Sequence, residues 1–171
     1  RGEIHVIGGS SGVGKTFMLG QIANAALDCG KRVAFFTLEM DRSEIFMRLV
    51  AGRIGLVAYK LKGRAATWTP EERARYEGAR RKLTEADLRL YADERWTPQI
   101  DAMVRRTEPD VVLIDYLQLM DWPKGATAEY AALTQTANEL QRLAKRTGAT
   151  MVLATQQSRA YQSAAAASGR V

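Results

Sequence analysis

The chain has 171 residues, the size of one ordinary domain and enough to bury a real core. Its apolar stretches fall far short of a membrane span, no signal peptide is visible, and the single cysteine, Cys29, excludes an intrachain disulfide and suits a reducing cytoplasm. A net charge of +6 is compatible with a nucleic-acid partner without establishing one.

In chain order, Ile4-His5-Val6-Ile7 predicts a buried strand, with His5 as a structural residue. Directly after it, Gly9-Ser10-Ser11-Gly12-Val13-Gly14-Lys15-Thr16 fits the phosphate-binding pattern G-x-x-x-x-G-K-[ST] at every fixed position. Glycines let backbone N–H groups turn inward around phosphate oxygens, and a helix N-terminus adds partial positive charge. Lys15 can reach β- and γ-phosphates and the Thr16 hydroxyl can ligate Mg²⁺. A helix is expected over Lys15 to Leu27, with Met18, Ile22 and Ala26 in one row and Leu19, Ala23 and Leu27 in the next. Gly30 ends it, and Cys29 is expected as a small buried residue.

Val33 to Leu38 predicts a second apolar strand, followed by a helix capped at Ser43 that runs to about Ile54 with Ile45, Phe46, Leu49 and Val50 inward. Thr69-Pro70-Glu71-Glu72 has the form of a capping box with proline in the first turn. The helix it opens is rich in arginine and lysine, but Glu71, Glu72 and Glu77 interleave with them, as on a solvated outer face. Leu88 to Tyr91 predicts a short strand, and Thr97-Pro98 opens a helix that ends before Glu108-Pro109. Val111-Val112-Leu113-Ile114-Asp115 is the clearest buried strand, and Asp121 to Gly125 reads as a loop. A helix from about Ala128 to Arg146 places Tyr130, Leu133, Ala137, Leu140 and Ala144 on one face, and Gly148 ends it. Met151 to Thr155 is the last strand, and beyond Arg159 the Ala- and Ser-rich sequence predicts no element. Strands alternating with helices predict an α/β fold with a mostly parallel sheet. Trp68, Trp96 and Trp122 are expected in packing or interface roles.

A phosphate loop alone implies nucleotide binding; hydrolysis also needs a carboxylate for Mg²⁺, a group to polarise water and a γ-phosphate sensor. Each has a candidate at a strand end, where open α/β sheets bind ligands. Asp115 closes an apolar strand, as a Walker-B carboxylate does. Glu39 follows the second strand and can act as general base. Gln156 follows the last strand, where a neutral amide can contact the γ-phosphate.

Together these segments resemble the RecA-like ATPase domain of DnaB-type replicative helicases. Arg1-Gly2-Glu3-Ile4 resembles that domain's opening strand, Phe36-Thr37-Leu38-Glu39-Met40 its S-L-E-M segment, and Ile114-Asp115-Tyr116-Leu117-Gln118-Leu119-Met120 its I-D-Y-L-Q-L-M run. Leu140 to Lys145 is similar to the helix before the sensor strand, and Ala154-Thr155-Gln156-Gln157-Ser158-Arg159 to the S-Q-x-x-R segment. The resemblance spans residues 1–159, implying one RecA-like P-loop domain there, with 160–171 a flexible loop or a truncated part of the same domain.

The resemblance implies Lys15 and Thr16 on phosphate and Mg²⁺, Glu39 as catalytic base, Asp115 as Walker-B carboxylate, Gln156 as sensor and Arg48 as a nucleotide contact. It implies ATP and Mg²⁺ as cofactors, single-stranded DNA as partner, a homo-hexameric ring, a primase or helicase loader nearby, and no membrane. DNA-facing loops would carry Lys124 and Arg159. Ser10-Ser11 stands where many of these helicases have Arg-Pro, which leaves a phage or plasmid branch open. No residue here matches the family's arginine finger, so this chain alone is expected to hydrolyse ATP poorly. Two other readings stay open: another RecA-like ATPase, recombinase or clock-type, and a nucleotide-gated assembly or loader protein with little turnover.

Overall fold

The structure, a computed structural model, describes residues 2–55, 68–123 and 128–156. Five strands lie among them: β1 (Ile4–Gly9), β2 (Val33–Thr37), β3 (Leu88–Tyr91), β4 (Val111–Asp115) and β5 (Thr150–Gln156). Five α-helices connect or flank them: α1 (Lys15–Asp28), α2 (Arg42–Ile54), α3 (Pro70–Glu85), α4 (Thr97–Thr107) and α5 (Glu129–Thr147). A 3-10 turn, Leu117–Leu119, follows β4. All four strand pairings are parallel, in the order β1-β5-β4-β2-β3. The α/β expectation with a parallel sheet is met.

The period-two alternation of β2 sorts the core into two layers. Val33 and Phe35 face α1, α2 and α3, packing with Leu19, Ala23, Ile45, Leu49 and Leu83. Ala34 and Phe36 face the other side, with Ile100 and Val104 of α4 and Leu140 and Leu143 of α5. β2 and β4 are buried on both faces, so both read as unbroken apolar runs. The Phe36 ring stacks on Tyr91 at 4.7 Å between centroids, which fixes β3 against β2.

Local chemistry places the helices. The Thr69 hydroxyl accepts from the Glu72 N–H at 3.1 Å while the Glu72 carboxylate accepts from the Thr69 N–H at 3.0 Å, with Pro70 in the first turn. This is the capping box expected from the sequence. The basic residues of α3 lie on its exposed face, with Arg75 donating to the Ile54 carbonyl at 2.6 Å, while Ala79 and Leu83 are buried, and Trp68 packs edge-on against Tyr76. Asn24, buried between α1 and α2, donates to the Leu49 carbonyl at 3.0 Å and ties the two helices.

Several expectations are corrected. β1 is the outermost strand on its side among the described residues, so the His5 side chain is 57% and Val6 60% exposed rather than buried. The row Leu19, Ala23 and Leu27 is buried in α1, while Met18 faces solvent. Cys29 is exposed just past α1, where the helix ends and Gly30 takes a positive φ of 67°. α2 begins one residue after Asp41, not at Ser43. In α5 the buried row is Ala132, Thr136, Leu140, Leu143 and Ala144, and Tyr130 is 83% exposed.

Candidate nucleotide site

The carboxyl ends of β1, β2, β4 and β5 converge. Register pairs Gly9 with Gln156 and Thr37 with Asp115, so the phosphate-type loop, both carboxylate-bearing segments and the amide meet at one edge of the sheet. Between them lies a cleft of about 150 Å³ whose wall includes Lys15, Thr16, Glu39, Arg48, Asp115 and Gln156. Larger hollows, about 610 Å³ on the α5 surface and about 600 Å³ at the opposite end of the sheet, gather no such strand ends.

The loop from Gly9 to Thr16 owes its shape to glycine at two turns: Gly12 and Gly14 have φ of 79° and 95°, a region that costs an L side chain about 1–2 kcal/mol. Gly14 turns the chain into α1, whose N-terminus has no side-chain cap and no acidic residue in its first turn. Its leading amides and positive dipole end are therefore left for an anion. The Lys15 ammonium donates to the carbonyls of Gly9 at 2.9 Å and Ser10 at 2.6 Å, bracing the loop with two of its three protons. Ser11, Gly12, Gly14, Lys15 and Thr16 stand on the cleft wall. Gly9 and Ser10 supply carbonyls behind it, and Val13 points to solvent at 63% exposure.

Asp115 is 2% exposed. Burial pushes its carboxyl above the usual carboxylate range, and the neighbouring Glu39 charge adds to this; a hydrogen bond from the Thr16 hydroxyl and the charges of Lys15 and Arg48 oppose it. One oxygen, Oδ2, is buried without a partner. An orphaned carboxylate oxygen beside a threonine hydroxyl fits a hydrated Mg²⁺. Among the described residues no group of three or more His, Cys, Asp and Glu could hold a metal by itself.

Glu39 is exposed, on the turn that leaves β2. The Thr37 hydroxyl donates to the Met40 carbonyl at 2.7 Å and accepts from its N–H at 3.3 Å, closing that turn around Glu39. The Leu38 N–H donates to the Asp115 carbonyl at 2.8 Å, joining the two carboxylate-bearing segments through the backbone. Arg48, on α2, pairs with Glu44 at 3.3 Å and reaches the cleft. Tyr116 and Phe17 also line the cleft, though sequence reasoning gave them no role. Burial, then the charges of Glu39 and Asp115, raise the Tyr116 phenol's pKa, keeping it a proton donor. Lys124 and Arg159 lie outside the described residues.

With its strand ends gathered on a helix-borne loop, the fold is that of the RecA-like phosphate-loop domains. The chain belongs to the family described as DnaB-like helicase C terminal domain, whose sequence model matches residues 1–168. It is 31% identical over 173 residues to the replicative DNA helicase DnaB of Synechocystis sp. (strain ATCC 27184 / PCC 6803 / Kazusa), covering 95% of this chain and 19% of that protein. It is 28% identical over 148 residues to a probable plasmid replicative DNA helicase of Chlamydia trachomatis serovar L2 (strain ATCC VR-902B / DSM 19102 / 434/Bu), covering 82% of this chain and 32% of that protein. Among solved structures, that of a DnaB-like replicative helicase and its interactions with primase superposes with a TM-score of 0.86 at 22% identity, over 95% of this chain and 41% of the other. The chain thus spans about a fifth to a third of the curated relatives it matches.

Proposed function

We propose that this chain is the ATP-hydrolysing motor unit of a replicative DNA helicase. The observation that carries the reading is the convergence of Lys15, Thr16, Glu39, Asp115 and Gln156 on one cleft. The loop amides and the α1 N-terminus hold the phosphates, and Lys15 turns its charge toward the β- and γ-phosphates. Thr16 and Asp115 would be the residues that hold Mg²⁺. When bound, the ion neutralises charge on the phosphate oxygens.

Glu39, on its fixed turn, accepts a proton from the water that attacks the γ-phosphorus. Asp115 and Glu39 divide the work by environment. Asp115 is buried against Thr16, as an ion ligand should be, while Glu39 is open to the water it activates. Gln156 contacts the γ-phosphate with a neutral amide, and Arg48 adds charge from α2.

Family membership supports single-stranded DNA as the track, a homo-hexameric ring as the working assembly, a cytoplasmic setting, and Lys124 and Arg159 as backbone-phosphate contacts. The similar helicase solved for its interactions with primase supports a primase as a partner. Among the described residues no helix is long and apolar enough to cross a membrane. Lys15→Ala in the full-length protein is expected to abolish ATP hydrolysis and unwinding together. Unchanged hydrolysis and unwinding would overturn the reading, and strand exchange without unwinding would select a recombinase instead.

A further inference from the structure

β4 leaves its ladder with β5 at the pair Ile114 and Leu153, three residues before β5 ends. The last residue of β5, Gln156, therefore has no β4 residue opposite it. Its backbone is nevertheless paired on that side. The Gln118 side-chain amide donates to the Gln156 carbonyl at 2.7 Å and to the Thr155 hydroxyl at 2.8 Å, and its Oε1 accepts from the Gln156 N–H at 3.1 Å. The amide orientation is fixed by its partners, since a backbone N–H only donates and a carbonyl only accepts. Both protons and the oxygen of the carboxamide are engaged. Gln118 thus stands in for the missing strand residue and extends the sheet by one step.

Gln118 sits in the 3-10 turn just past Asp115. Through it the end of β5 is held by the same segment that carries the buried carboxylate, across 38 positions of sequence. We propose that Gln118 is a positioning residue: it locks the Gln156 backbone so that the Gln156 side chain meets the terminal phosphate of a bound nucleoside triphosphate. The proposal rests on Gln156 as the γ-phosphate sensor. Gln118 itself does not stand on the cleft wall, so it acts only through Gln156.

This role separates triphosphate from diphosphate. An aimed Gln156 adds affinity only where a γ-phosphate is present, so loss of the clamp lowers triphosphate affinity and leaves diphosphate affinity unchanged. A residue that merely supports the fold would lower both.

The test uses the full-length protein and fluorescent analogues of ADP and of non-hydrolysable ATP, with melting temperature measured alongside. Gln118→Met keeps the length and removes all three bonds. It is expected to reduce the ratio of triphosphate to diphosphate affinity about tenfold, the scale of one or two hydrogen bonds. Thr155→Val removes one bond with little change of shape and is expected to move the ratio in the same direction by less, which keeps the test alive if Gln118→Met fails to fold. Gln156→Ala should match Gln118→Met, and the double variant should be no worse than either. If Gln156→Ala lowers the ratio while Gln118→Met and Thr155→Val leave it at the wild-type value, the clamp is overturned and the sensor stands. If Gln156→Ala itself leaves the ratio unchanged, both are overturned.

Discussion

The Arg95 guanidinium donates to the carbonyl of Leu38 at 2.9 Å, one residue before Glu39. The Arg95 carbonyl in turn accepts from the Asp121 N–H at 2.9 Å, at the start of the loop that follows β4. A residue between β3 and α4 therefore braces the turn that carries Glu39, in addition to the Thr37 bonds. Arg95→Ala is expected to lower kcat about tenfold while leaving nucleotide affinity near wild type, because it frees Glu39, the proposed base, without touching the phosphate loop. Steady-state hydrolysis with parallel nucleotide titrations checks this.

Asp115 sets binding against stability. Its folded-state pKa is raised mainly by burial, so the charged form destabilises the fold wherever the carboxyl is ionised. Stability from this group is fully present below the unfolded pKa, about 3.9, and is lost as pH rises through the raised folded value. Asp115→Asn is expected to stabilise the nucleotide-free protein by on the order of 1 kcal/mol, since Oδ2 is an orphaned charged oxygen. On the proposed role of Asp115, the same change is expected to abolish Mg²⁺-dependent hydrolysis. Thermal melts with and without Mg²⁺ nucleotide should show the two effects with opposite sign.

If Asp115 holds Mg²⁺ as proposed, protons compete with the ion there. Mg²⁺ affinity in the wild type is expected to fall as pH is lowered through the raised pKa of this carboxyl, and the fall should be absent in Asp115→Asn. Mg²⁺ titrations followed at a series of pH values measure it.

Gly14 tests the loop by its backbone alone. Its φ of 95° is strained for any L side chain, although a Cβ there would meet no atom within 4 Å. Gly14→Ala is therefore expected to destabilise the loop by roughly 1–2 kcal/mol through conformation and not through collision. Nucleotide affinity should drop about tenfold or more while chemical denaturation of the rest of the domain shifts little.

Much of this site is legible in the sequence because each part is local. The loop's glycines, lysine and threonine are consecutive, and β4 announces itself by an apolar run that ends in Asp115. The Thr69 capping box needs only four residues and forms as its spacing implies. What periodicity cannot carry is position within the sheet. β1 has the composition of an interior strand but is outermost among the described strands, and His5 and Val6 are exposed. The same limit misplaces Met18 and Tyr130, which are exposed in the first turns of α1 and α5 although later residues of their rows, Ile22, Ala26, Leu140 and Ala144, pack into the core. Gln118 and Arg95 are hidden for a different reason. Both act on backbone atoms dozens of residues away, a relation that no spacing encodes.

The most direct test of the motor reading is the single-stranded-DNA-stimulated ATPase rate of the full-length protein with Glu39→Gln. The account predicts ATP affinity within about twofold of wild type and a rate lower by about 10²–10⁴-fold, the usual contribution of a positioned general base. A wild-type rate in Glu39→Gln would contradict it.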